Sequence, residues 1–257
     1  MCLKINAFLG GIVYRLRSIV SWPTISFLML IHLTIVLICW PFVKEPREFS
    51  IQLSRYFCRT ILWVSGVRFQ VHGIENIPKT DPFIIYANHQ SFLDIPILVV
   101  IIDRGLRFIA KKELKWIPIV GWNIYLQGHH LIDRSNSKQA KEVLNQASKQ
   151  VLAGHPIIIF PEGTRSLDGQ LSKFKRGSFK IAIENHIHVL PIYIHNAYKV
   201  LNKKTWYLTP GIIDIYISKA IPPITDFEDS NRQQIDQLTE QTQGIIQDLQ
   251  DRVNRVS

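Results

Sequence analysis

The stretch Tyr86-Ala87-Asn88-His89-Gln90-Ser91-Phe92-Leu93-Asp94-Ile95-Pro96 sets a histidine and an aspartate five residues apart, directly after the apolar run Phe83 to Tyr86. An imidazole beside a carboxylate is general-base chemistry. The carboxylate accepts a hydrogen bond from one ring nitrogen, fixes the tautomer and leaves the other nitrogen to take a proton. Within one continuous helix, residues five apart are turned by roughly 140° and do not readily meet. The pair works only if a helix starts between them. Pro96 favours that start, because proline is tolerated in a first helical turn and disfavoured deeper in. Asp94 then sits at or near the N-cap, with His89 in the loop leaving the preceding strand. On these residues alone a second reading stays open, in which Asp94 merely caps the helix and His89 is an ordinary loop residue.

A second cluster, Phe160-Pro161-Glu162-Gly163-Thr164-Arg165-Ser166, follows the apolar run Pro156 to Phe160. Ligands of open α/β sheets gather beyond the carboxyl ends of strands. Gly163 permits close backbone approach, and the Arg165 fork suits phosphate. The bland alternative is a polar turn with an incidental arginine. Lys173-Phe174-Lys175-Arg176-Gly177-Ser178 adds cations before an expected helix start, a pattern that fits either an anion site or a solvated basic loop. Asp133-Arg134 and Ala110-Lys111-Lys112 end two further expected strands, so strand ends deliver one histidine and several cations: a base beside a phosphate pocket. No GxSxG, GxxxxGK[ST] or GxGxxG is present, which removes the local signatures of serine hydrolases, P-loop nucleotide enzymes and dinucleotide-binding folds. His129-His130 and His186 with His188 lack metal-ligand spacing and read as structural, so no metal site is expected.

The elements that must position these residues alternate in type. Strands are expected at Arg68 to His72, Phe83 to Ala87, Arg107 to Ala110, His130 to Asp133, Pro156 to Phe160, Val189 to Ile194 and Ile212 to Ser218. Helices are expected at Ile95 to Ile102, Ser137 to Ala153, Ser178 to Asn185 and Asp229 to Val253. Such alternation predicts an α/β fold, a single mixed sheet covered by helices.

Ahead of it, Ile25 to Val43 is almost wholly apolar and makes a helix of roughly 28 Å, enough to cross a hydrocarbon core. Trp22 and Trp40 flank it as interfacial anchors do, and no small-residue cleavage site follows it. Basic residues lie on both sides, so charge does not orient the segment, and a re-entrant arrangement stays open. The next stretch, Ser50 to Val67, sets Ile51, Phe57, Ile61 and Leu62 among Arg55 and Arg59, which suits a helix at a membrane interface. The expected organisation is therefore a helical membrane-docking segment over 1–66, with its apolar part near 22–43 and its interfacial helix near 50–66, followed by one catalytic domain over 67–257. The net charge of +10 implies an anionic partner, whether nucleic acid, acidic lipid or a phosphorylated substrate. Cys2, Cys39 and Cys58 show no CxxC spacing and read as reduced thiols, consistent with a cytosolic environment.

The ordered motifs have a family resemblance. Asn88-His89-Gln90-Ser91-Phe92-Leu93-Asp94 and Phe160-Pro161-Glu162-Gly163-Thr164-Arg165-Ser166 resemble the first and third motifs of the glycerophospholipid acyltransferases, most closely the 1-acyl-sn-glycerol-3-phosphate acyltransferases. The likeness extends to Ile117-Pro118-Ile119-Val120-Gly121-Trp122, Ile132-Asp133-Arg134-Ser135-Asn136, Phe174-Lys175-Arg176-Gly177 and Leu190-Pro191-Ile192-Tyr193, in the same order over roughly residues 68 to 195.

The resemblance implies transfer of a fatty acyl chain from acyl-CoA or acyl carrier protein to the sn-2 hydroxyl of lysophosphatidic acid, giving phosphatidic acid in phospholipid biosynthesis. His89 takes the general-base role and Asp94 orients it; Glu162, Gly163, Thr164 and Arg165 match the substrate-binding motif, with Arg134 and Lys111 as further substrate contacts. No metal or cofactor is implied, because the thioester is already activated. The implied setting is membrane lipid, with the cell inner membrane and a cytoplasmic-side active site expected; the oligomeric state stays open. Gly128-His129-His130-Leu131 departs from the small or aromatic apolar residues usual in the family before Ile-Asp-Arg, and leaves the acceptor head group open between lysophosphatidic acid, glycerol-3-phosphate and other lysophospholipids. A non-catalytic basic protein binding membrane or nucleic acid is the rival from another class. The scattered basic residues and the apolar segment suit nucleic acid poorly, and no nucleic acid partner is expected.

Overall fold

A computed structural model describes residues 2–133, 136–224 and 231–256. Among the described residues seven strands form: Arg68–His72 (β1), Phe83–Ala87 (β2), Arg107–Lys111 (β3), His130–Ile132 (β4), Ile157–Ile159 (β5), His188–His195 (β6) and Ile212–Ile217 (β7). They make one sheet in the order β1-β7-β6-β2-β5-β3-β4. Every neighbouring pair is parallel except β6 with β7, so the sheet is mixed, as expected. Strands β2 to β6 therefore run in one direction and present their carboxyl ends along a single edge, the edge at which open α/β sheets bind ligands.

Side-chain alternation explains the layers. In β2, Phe83, Ile85 and Ala87 point into one core with Ile97, Leu98, Ile192 and Ile194, while Ile84 and Tyr86 point into a second core with Ala147, Val151, Phe179 and Ile246. A strand buried on both faces must be apolar throughout, and Phe83-Ile84-Ile85-Tyr86-Ala87 is. Asp94–Ile101 (α3) supplies the first core, and Ser137–Leu152 (α5), Lys180–Glu184 (α6) and Asn231–Val256 (α8) the second. The helix expected from Asp229 begins at Asn231 among the described residues. Val120–Leu126 (α4) and Ala197–Val200 (α7) were not expected, being too short to show an apolar period.

The N-terminal helix is longer than its apolar run. Cys2–Cys39 (α1) continues through Pro23, and the window Tyr14–Phe42 is long and apolar enough to cross a membrane. Its sides are unequal. Leu16, Ile19, Val20, Phe27, Leu30, Leu37 and Ile38 are exposed and fall within an arc of about 100° at helical spacing, while Ser18, Ser21, His32, Leu33 and Val36 on the opposite side are buried. Polar contacts fasten that buried side. Leu208 N–H donates to Ser18 Oγ at 2.8 Å, Trp22 Nε1 donates to Trp206 O at 2.7 Å, and His32 lies 2.6 Å from Asn123 Oδ1 of α4 and 3.1 Å from Ser50 O.

Pro46–Val64 (α2) starts at proline, four residues ahead of the expected boundary. Ile51 and Leu62, part of the amphipathic pattern read as interfacial, are 2% and 3% exposed inside the protein. Arg55 pairs with Asp103, and Glu48 Oε1 accepts from buried Arg107 Nη2 at 2.5 Å. Much of this pattern thus docks α2 on the folded domain, against α3, while Tyr56 and Trp63 remain exposed.

His129 is buried, stacked on Phe108 with ring centroids 3.7 Å apart, and burial with neighbouring Arg107 holds its pKa well below the ordinary 6.5. The folded protein keeps this ring neutral while the unfolded chain takes up a proton near pH 6.5. This contribution to stability is therefore present above pH 6.5 and is lost as the pH falls below it. His129→Phe keeps the stacking and removes the proton site, and its unfolding free energy, measured by denaturant titration, is expected to fall less steeply than wild type between pH 6.5 and about 5.

Candidate active site

Asn88 carries the sheet one residue past β2 by means of its side chain: Oδ1 accepts from Ile194 N–H at 2.6 Å and Nδ2 donates to Ile194 O at 2.8 Å. The backbone then turns out of the sheet at His89. Leu93 occupies the cap position of α3 without a side-chain cap bond, so Asp94 is the first helical residue and does not cap its own helix. Its carboxylate instead faces back. Oδ2 accepts from Gln90 N–H at 2.8 Å, Ser91 N–H at 2.9 Å and His89 Nδ1 at 2.7 Å. Asp94 is fully buried, and charge-assisted bonds from two amides and an imidazole offset that desolvation.

His89 is held on three further sides. Its N–H donates to Glu162 Oε1 at 2.8 Å, its carbonyl accepts from Ser166 N–H at 2.8 Å, and its ring stacks on Phe160 at 4.0 Å. The side chain is 18% exposed, and Nε2 has no hydrogen-bond partner among the described residues. An Nδ1–H tautomer bonded to Asp94 leaves Nε2 bare and open to a substrate proton.

Glu162 was expected among substrate contacts, and the structure places its carboxylate inward. Oε1 takes the His89 amide and Oε2 the Ser172 amide at 2.9 Å, with the residue 4% exposed. Burial pushes this carboxyl pKa up, and the two amide bonds oppose the shift. Gly163 follows with φ +76°, left-handed backbone that glycine adopts without strain. Thr164 Oγ1 accepts from Lys203 Nζ at 2.9 Å. The Arg165 guanidinium lies 3.7 Å from the Phe92 ring centroid; burial lowers its pKa and the charge of Asp94 counters that. Glu162, Gly163, Thr164 and Arg165 thus come together with His89 and Asp94.

The remaining expected residues divide. Lys111 is 65% exposed at the end of β3 and pairs with Glu113 at 3.4 Å, while Lys112 pairs with Asp133. Arg134 lies outside the described residues. In the Lys173 to Ser178 segment, Arg176 pairs with Asp236 of α8 at 2.9 Å, and the helix that follows has five residues. That segment therefore fastens the tail helix. No group of three or more His, Cys, Asp or Glu side chains is placed to hold a metal among the described residues. Asn88 and Phe160 stand in the two motifs read from the sequence but had no role assigned there, and Lys203 was not singled out at all.

A histidine–aspartate pair and an arginine lie at the carboxyl edge of a mixed sheet, in this order along the chain, and the class of protein that this fold and site fit is an acyltransferase. Residues 68–195 match the family model described as Acyltransferase, and the chain belongs to that family. It is 33% identical over 217 residues to a 1-acyl-sn-glycerol-3-phosphate acyltransferase of Chlamydomonas reinhardtii, covering 81% of this chain and 64% of that protein. It is 37% identical over 170 residues to a protein of the same name from Pseudomonas aeruginosa, covering 64% and 65%. The chain thus spans just under two thirds of the length of these curated relatives. The crystal structure of the 1-acyl-sn-glycerophosphate acyltransferase of Thermotoga maritima superposes with a TM-score of 0.72 at 28% identity, covering 92% of this chain and 98% of that one.

Proposed function

We propose that the chain transfers a fatty acyl group from a thioester, acyl-CoA or acyl carrier protein, to the sn-2 hydroxyl of 1-acyl-sn-glycerol-3-phosphate. The observation that carries this reading is the His89–Asp94 contact of 2.7 Å, with Arg165 in the adjoining loop. His89 Nε2 removes the hydroxyl proton as the oxygen attacks the thioester carbonyl carbon. The imidazolium formed is stabilised by the Asp94 carboxylate. The carbon–sulfur bond then breaks, the thiolate takes the proton back from Nε2, and phosphatidic acid and a free thiol leave. Arg165, with its planar fork, binds the acceptor's phosphate. Glu162 acts by positioning, because its two oxygens tie the His89 loop to the loop bearing Arg165.

The first 66 residues dock the enzyme on a membrane and residues 67–257 form the catalytic domain. The exposed apolar stripe of α1 and the polar contacts of its other side support a helix immersed along the bilayer surface while fastened to the domain. A lipid acceptor is consistent with this anchor. We assign the protein to the cell inner membrane with its site facing the cytoplasm, and its product to phospholipid biosynthesis.

The test is an acyl-transfer assay of the purified chain in vesicles, with acyl-CoA and acyl carrier protein donors against lysophosphatidic acid, other lysophospholipids and glycerol-3-phosphate. Transfer to lysophosphatidic acid above the other acceptors is expected. A preference for another head group would reassign the acceptor, and absence of transfer with every pair would overturn the reading.

A further inference from the structure

Lys112, at the carboxyl edge of the sheet, faces a carboxylate, as do Arg55 and Arg107 at the opposite edge and Arg176 against α8. Arg165 and Lys203 have no carboxylate within ion-pair distance among the described residues, and Lys203 touches the short loop that carries Arg165. Lys203 Nζ is 2.9 Å from Thr164 Oγ1, and Thr164 precedes Arg165. An ammonium has three donors, so this contact leaves two. Two unmatched cations beside a general base form a site short of an anion.

Lys203 is held in place. Ser91 Oγ, in the loop between His89 and Asp94, donates to Leu201 O at 2.9 Å, and Asn202 Nδ2 donates to Leu167 O at 3.1 Å. A few residues on, the same segment accepts Trp22 Nε1 at Trp206 O and donates from Leu208 N–H to Ser18 Oγ. Residues 201–209 thus form a strap from the apolar helix α1 to the catalytic loops, with Lys203 at the catalytic end.

Resting on the function proposed above, we infer that Lys203 is a substrate-binding residue. Its ammonium and the Arg165 guanidinium together hold the phosphate of the acceptor lipid. The attachment of the strap to α1 favours a phosphate that arrives from the membrane. The phosphates of acyl-CoA have the same chemistry, and the experiment separates the two sources.

Calorimetric titration of the full chain in detergent with short-chain lysophosphatidic acid, in the absence of donor, reads binding without catalysis. Lys203→Gln is expected to weaken this binding about tenfold, as losing one charge-assisted bond to phosphate does. Binding of the matching monoacylglycerol, which lacks the phosphate, is expected to stay unchanged. Lys203→Arg recovers most of the loss, and Lys204→Gln shows none. Thr164→Val, which removes the lysine's protein partner and keeps its charge, has a smaller effect than Lys203→Gln. In the transfer assay, the KM for lysophosphatidic acid rises in Lys203→Gln while kcat and the KM for acyl-CoA stay near wild type. Unchanged lysophosphatidic acid binding, equal losses for both lipids, or a rise confined to the acyl-CoA KM would each overturn the inference. A wild type that binds lysophosphatidic acid in this Lys203-dependent way without transferring acyl groups would leave the inference standing and remove the catalytic reading.

Discussion

His89→Ala is expected to lower acyl transfer to lysophosphatidic acid by roughly 10² to 10⁴, the usual contribution of a positioned general base, while leaving the protein folded and in the membrane fraction. The substitution keeps the backbone contacts that shape the loop, because Glu162 and Ser166 bind the main-chain N–H and carbonyl of residue 89, not its ring. What is lost is the proton acceptor and the stacking on Phe160, the latter worth about 1 kcal/mol. Asp94 keeps two of its three donors, the amides of Gln90 and Ser91. A fall in kcat without loss of the folded state is therefore the signature to look for, read from initial rates beside a thermal unfolding scan. Undiminished transfer would remove His89 from the mechanism.

Glu162→Ala is expected to damage both stability and rate. One carboxylate satisfies the amides of His89 and Ser172, at 2.8 and 2.9 Å. Alanine strands two part-buried donors, and because Ser172 is exposed and its amide can turn to water, a loss of roughly 1–3 kcal/mol in unfolding free energy, the cost of one unsatisfied donor, is expected by denaturant titration. Because His89 N–H is one of the two, the imidazole loses its placement against Asp94, and kcat falls about 10²-fold or more even in the fraction that remains folded. Glu162→Gln keeps one acceptor but turns an NH₂ group toward the other amide, which places its cost between alanine and wild type. If Glu162 only contacted substrate, the alanine variant would be as stable as wild type and would show its defect in KM alone.

The contrast between these residues explains what was legible in the sequence. The His89–Asp94 geometry could be read because its determinants are local: an apolar strand ending at Ala87 and a proline marking the start of α3. The seven strands were equally legible, since burial on both faces demands continuous apolar runs such as Ile157–Ile159. Glu162 was found, but its inward placement was not, because the partners of its carboxylate are backbone amides that carry no side-chain signal. Lys203 lies 39 residues from Thr164 in an ordinary polar turn, and only folding brings them together. For α2 the amphipathic pattern was visible and its direction was not. Burying Ile51 and Leu62 against protein or against lipid needs the same spacing, and the ion pair of Arg107 with Glu48 decides for protein.

The base catalysis proposed for His89 depends on which of its ring nitrogens carries the proton at rest. Nitrogen-15 NMR of the ring in the labelled full chain at neutral pH, assigned by comparison with His89→Ala, reads this directly. A protonated Nδ1 facing Asp94 Oδ2 and a bare Nε2 is the predicted result. A proton on Nε2 with Nδ1 bare would leave nothing to receive the acceptor's proton and would contradict the mechanism.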